Sequence, residues 1–219
     1  MFCGYNIRIP ESVVLFVVMT TTMTTTVFSK QSTRAVSSRT PSSPPVFTSK
    51  YANLRDSWSL YYHLPDDGRW DISSYTCLMA GIDHPEKLIS INEVIPDVIV
   101  KNAMLFVMRA GIQPMWEDER NRHGGYLSFK VLNKCVHQVW KTMFYAVCGE
   151  TLFVQPDNNV YVNGLSISPK KTFCIIKVWL SNGKVKDAAL TPVPMLATGP
   201  EELKYTAFQA QLEAEADKK

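Results

Sequence analysis

Between Lys134 and Cys148, apolar side chains recur at Val136, Val139, Trp140, Met143, Phe144 and Val147, the i, i+3, i+4, i+7, i+8, i+11 series of one helix face. Asn133 stands where a cap belongs and Gly149 where a helix ends. Such a stripe is not stable alone in water and must lie on an apolar surface. The neighbouring segments supply one. Trp58, Leu60 and Tyr62 alternate; Tyr75 to Met79, Met104 to Met108 and Leu127 to Leu132 read as strands; Val160, Val162, Leu165 and Ile167 suggest another. Phe173 to Trp179 adds one more, ended by Ser181-Asn182-Gly183, and residues 203 to 209 close the sheet. Pro85, after a cap at Asp83 or His84, opens a second helix carrying Leu88, Ile89, Ile91 and Ile95 and stopped by Pro96. Without regular β-α-β alternation, the chain is predicted to be α+β, an antiparallel sheet curved over its helices.

With 219 residues, 46% hydrophobic and 20% charged, the chain has material for one core. Residues 1–50 are set apart as an N-terminal arm, because their Ser/Thr/Pro tract has too few apolar side chains to offset its ordering entropy. Residues 51–210 form the globular part and 211–219 a polar tail. Val13 to Met19 is too short an apolar run to span a bilayer. Five widely spaced cysteines fit a reducing compartment, and the expected location is cytoplasmic, with the nucleus as an addition. His63, His84, His123 and His137 show no paired metal spacing, so neither metal nor cofactor is expected. A net charge of +3 is too mild for a non-specific nucleic-acid coat but suits a basic patch facing a few phosphates.

The chemistry concentrates in Gly111 to Gly125, G-I-Q-P-M-W-E-D-E-R-N-R-H-G-G, too polar and turn-rich for core. It places Trp116 directly before Glu117. Guanine presents two adjacent N–H donors that one carboxylate accepts, and an indole offers a stacking platform. A base methylated at N7 is cationic, which adds a cation–π contribution of about 0.5–2 kcal/mol per ring. Trp70 is the candidate for a second ring. Trp58 and Trp140 follow core patterns and are assigned to packing, while Lys170-Lys171 alone reads as a solvated loop.

From Leu54 to Gln209 the chain resembles the eukaryotic translation initiation factor 4E family of mRNA cap-binding proteins. The resemblance rests on the Gly111–Gly125 segment, W-S-L-Y-Y at 58–62, Trp70, V-W-K-T-M-F-Y-A-V-C-G-E at 139–150 and Val178-Trp179. It implies helices on the convex face of the sheet and a cap slot on the concave one. There Trp70 and Trp116 would sandwich 7-methylguanine, Glu117 would take its edge, and Trp179 would touch the methyl-bearing side. Capped mRNA is the implied ligand. The implied protein partner is a factor 4G-like scaffold or a 4E-binding protein on the convex face, around Ile89, Trp140 and Lys141.

The chain departs from the family pattern at several points. Tyr126 stands where an Arg often follows the Gly-Gly pair, and the phosphate-gripping loop is longer. Lys170, Lys171, Lys177 and Arg122 are the candidate phosphate contacts, Lys177 because it shares a strand face with Trp179. Ile89 replaces the family's key convex Trp, and Lys141-Thr142 its Leu-Glu pair. Pro192 and Pro194 interrupt a longer helix. These changes suggest a divergent member, of the trypanosomatid kind. Two other classes stand beside it: an interaction module or repressor with weak cap affinity, and a cap-nucleotide hydrolase or a Cys/His enzyme using Cys148, or Cys135 with His137. Against an enzyme, the chain has no Gly-rich phosphate loop, no G-x-S-x-G elbow and no clustered glutamates.

Overall fold

The alternating segments pair into one seven-stranded sheet. The computed structural model describes residues 52–191 and 203–210. Within them lie β1 (Trp58–His63), β2 (Tyr75–Ile82), β3 (Met104–Arg109), β4 (Gly125–Leu132), β5 (Val162–Pro169), β6 (Phe173–Leu180) and β7 (Lys204–Ala207). Their spatial order is β2-β1-β3-β5-β6-β4-β7 and every pairing is antiparallel. The helices are α1 (Pro85–Val94), α2 (Asp97–Asn102) and α3 (Val136–Cys148). The expectations for the N-terminal arm, its apolar run, Pro192 with Pro194 and the tail fall outside the described residues. Among those residues no helix is long and apolar enough to cross a membrane.

The stripe on α3 does what its spacing requires. Val136, Val139, Trp140, Met143, Phe144 and Val147 are all within 1% of full burial, in one cluster with Leu127, Phe129, Leu165, Ile176 and Val178 of the sheet. Because strand side chains alternate, the neighbours of those sheet residues point the other way. Phe106, Met108, Ile112, Tyr126, Trp179 and Phe208 form a second, smaller cluster. Among the described residues, the helices pack on one face of the sheet and leave the other uncovered by helix.

Several boundaries differ from the sequence reading. Helix α3 starts at Val136 with Cys135 in the cap position, and no side chain caps it. Asn133 is engaged elsewhere: its amide donates to the Lys171 carbonyl at 3.4 Å, and its carbonyl accepts from Cys174 Sγ at 3.6 Å. Val160 lies in a 3-10 turn, Pro156–Tyr161, and is exposed, so β5 begins only at Val162. Pro96 both ends α1 and begins α2, a short helix absent from the sequence reading. After Gly149 it is Glu150 that adopts positive φ, at 52°. Its carboxylate is held by Arg109 at 2.8 Å and Arg55 at 3.4 Å, which supports a conformation usually left to glycine.

At Gly164 a Cβ would fall 2.5 Å from Met108 Sδ and 2.5 Å from the Val107 carbonyl, so β3 and β5 meet there only because the side chain is missing. Removing a ring that α3 buries completely tests the helix-on-sheet packing: Phe144→Ala is expected to cost about 3–5 kcal/mol in denaturant unfolding.

Candidate nucleotide-binding slot

The register of the strands builds the floor of a cleft. One row across the sheet runs Tyr61, Phe106, Ser166, Lys177, Ser128. The next runs Met108, Gly164, Trp179, Tyr126, Thr206. Gly164 leaves the second row low at its centre, beside Trp179. The indole N–H of Trp179 is satisfied by the Ser166 hydroxyl at 2.9 Å, and Phe208 packs on its ring with centroids 4.9 Å apart. This floor and two loops enclose a cleft of about 300 Å³.

The loop between β1 and β2 carries Trp70. Asp67 accepts the Arg69 backbone N–H at 2.9 Å and both arms of its guanidinium, at 3.0 and 2.7 Å, which holds the Asp67 carboxyl down at about 2. Asp71 accepts the Ser73 N–H at 2.9 Å, and hydrogen bonds from Ser73 lower its pKa as well. Two local turns therefore bracket the indole. Trp70 is 48% exposed, and His63 lies beneath it with ring centroids 4.4 Å apart and planes within 6°.

The loop between β3 and β4 brings in Trp116 and Glu117. Asn121 is fully buried and donates to the Gln113 and Met115 carbonyls at 3.0 and 2.7 Å, while its own carbonyl accepts from Asn163 at 2.9 Å. Asp118 accepts from the Gln113 and Arg120 N–H groups, both at 2.9 Å. The closing glycines are steric necessities: a Cβ on Gly124 would lie 1.8 Å from the Leu180 carbonyl, and one on Gly125 2.3 Å from that of Thr206. The polar residues of this segment fold the loop. Trp116, half-buried, and Glu117, exposed, are left to face the cleft.

Trp70, Trp116, Glu117, Trp179 and Lys177 thus line one cleft. Lys177 sits over the Tyr126 ring, its Nζ 4.4 Å from the centroid, and burial, with a smaller contribution from Lys170, lowers its pKa. Lys170, Lys171 and Arg122 are exposed and outside the lining. Sequence reasoning passed over His63, Tyr75, Ser166 and Phe208. The Tyr75 phenol is pushed up by burial and by the Glu117 charge, which places an un-ionised hydroxyl near that acid. Ser166 was readable by alternation from Leu165 and Ile167, whereas Phe208 reaches the slot only through the pairing of β7 with β4.

On the opposite side, Ile89 is 52% exposed on α1. Trp140, a candidate partner contact, is corrected: at 0% exposure, its ring packed 6.0 Å from Phe144, it supports the convex surface from below. Lys141 is engaged by Glu93 at 2.5 Å, an acid that also accepts from the Tyr145 hydroxyl at 2.8 Å, so it ties α3 to α1. Burial drives the Cys148 thiol well up, the wrong direction for a nucleophile, and His137 hydrogen-bonds the Ile95 carbonyl at 3.1 Å.

The architecture is that of an α+β protein with an antiparallel curved sheet backed by helices, and its cleft is lined by aromatic side chains together with Glu117 and Lys177. Residues 53–219 match the family model described as Eukaryotic initiation factor 4E, and the chain belongs to that family. It is 29% identical over 147 residues to the Eremothecium gossypii eukaryotic translation initiation factor 4E, covering 64% of this chain and 66% of that one. The chain spans 23% to 66% of the length of five curated relatives that it matches. Its fold is similar to C. elegans eIF4E-3 in complex with the 4E-binding protein Mextli and cap analog: TM-score 0.62, 20% identity, 74% of this chain and 95% of that one. Ascaris suum eIF4E-3 with m7G cap gives a TM-score of 0.54 at 22% identity, covering 62% and 76% of the two chains.

Ser166→Ala strands the buried indole N–H of Trp179 and is expected to lower stability by about 1–3 kcal/mol, read from denaturant midpoints.

Proposed function

We propose that this chain binds the 7-methylguanosine 5′ cap of mRNA in translation initiation. The observation that carries the reading is that Trp70 and Trp116, on separately braced loops, face a single cleft with Glu117 at its edge. The cationic base stacks on the two indoles, Glu117 accepts its two edge N–H donors, and Trp179 contacts the methyl-bearing side. Lys177 meets the phosphate chain, with Lys170, Lys171 and Arg122 as contacts further out. Membership in the family supports this reading, as do the cap complexes of its structural neighbours. On the convex face, the exposed Ile89 is the centre of a contact with a factor 4G-like scaffold or a 4E-binding protein.

The test is direct. A 7-methyl-GTP resin is expected to retain the protein, and free 7-methyl-GTP to elute it far better than GTP; equal elution by the two would remove the cation–π basis. Trp116→Ala and Glu117→Ala should each weaken binding by about 1.5–3 kcal/mol, the latter by leaving guanine donors unpaired.

Lys177 has its own signature. Only the charged ammonium holds phosphate, and its pKa in the fold is lowered, first by burial and then by Lys170. Affinity for the triphosphate is therefore present below that lowered pKa and lost as pH rises through it, earlier than for an ordinary lysine. Lys177→Arg, charged throughout, is expected to remove that alkaline loss, measured by fluorescence titration against wild type. Identical alkaline profiles in the two proteins would take Lys177 out of the phosphate contact.

A further inference from the structure

The cap reading needs Trp70 to stand at a fixed angle, yet this indole is about half exposed on a loop. What lies behind it is a histidine. His63 ends β1 on the slot side of the sheet and is fully buried. Its ring is parallel to the Trp70 indole, centroids 4.4 Å apart and planes within 6°, and Tyr75 closes against it at 4.9 Å and 57°. The same ring also reaches the backbone: Nε2–H donates to the Arg69 carbonyl at 2.9 Å, and that carbonyl belongs to the peptide bond leading into Trp70. A single side chain thus grips both the main chain and the side chain at the site of the indole. Phenylalanine would supply the stack but not the hydrogen bond.

We infer that His63 is a positioning residue for the ligand, holding Trp70 with its inner face covered so that the outer face stays presented to the cleft. The inference rests on the slot being a base-stacking site. An indole free to rotate about its side-chain torsions must be ordered when the ligand arrives, which costs affinity; one already stacked has lost that freedom beforehand. Stacking and the hydrogen bond each contribute modestly, so the whole effect is a matter of roughly tenfold in affinity.

The experiment is a double-mutant cycle on 7-methyl-GTP binding. His63→Ala is expected to weaken binding roughly tenfold, and His63→Phe to recover part of the loss. In a Trp70→Ala background, His63→Ala should cost nothing further, because there is no ring left to hold; in a Trp116→Ala background the loss should persist. General loosening of the fold would persist in both backgrounds, and a loss undiminished by Trp70→Ala overturns the inference. So does a His63→Ala protein that binds like wild type.

The free protein supplies a second measurement. The Trp70 indole N–H resonance, assigned by its disappearance in Trp70→Phe, should be sharp in wild type and His63→Phe and broadened or displaced in His63→Ala. If wild type shows no preference for the methylated nucleotide, the cap reading fails on its own. The resonance then decides on His63: a change in His63→Ala upholds its hold on Trp70, and an unchanged signal overturns it.

Discussion

Burial of the α3 stripe against one face of the sheet is the constraint from which the site follows. Once Val139, Trp140, Phe144 and Val147 occupy that face, strand periodicity sends Phe106, Ser166, Lys177 and Trp179 to the other. No helix among the described residues covers the second face between the two loops. Among the described residues that second face is largely aromatic. The small second cluster is the slot's floor as well as a core, since Phe106, Tyr126, Trp179 and Phe208 belong to both.

The walls depend on a different physics. Apart from Ile112, which joins the second cluster, each loop is shaped by short polar contacts: Asp67 and Asp71 on one side, Asp118, Asn121 and Asn163 on the other. Gly124 and Gly125 let β4 come within backbone contact of its neighbours and fix where the second loop re-enters the sheet. Most of the signature around Trp116 is therefore loop construction. Trp116 and Glu117 are the parts of it that line the cleft.

The convex side is fixed by packing and one ion pair. Trp140 is entirely internal, Lys141 is bound to Glu93 across the α3–α1 junction, and the exposed apolar residue of α1 is Ile89. The exposed Ile89 thus stands on the same helix as Glu93, whose carboxylate is already taken by Lys141.

Much of this could be read from residue spacing. The 3.6-residue stripe of α3 and the alternation in β1, β3 and β6 are local periodicities that mark buried faces, and the resemblance pointed to Trp70, Trp116, Glu117 and Trp179 as a set. Boundaries were less legible where a tertiary bond outcompeted a local one. Asn133 bonds Lys171 and Cys174 across the sheet instead of capping α3, and Glu150 takes a left-handed turn because two arginines hold it. The sequence by itself determined which faces are apolar, since periodicity is a property of neighbouring residues. Lys177 was already legible from its i, i+2 spacing to Trp179, whereas only the tertiary structure decided that His63 lies under Trp70 and that Phe208 joins Trp179. Those relations depend on strand register and loop closure, and they join residues that local spacing does not connect.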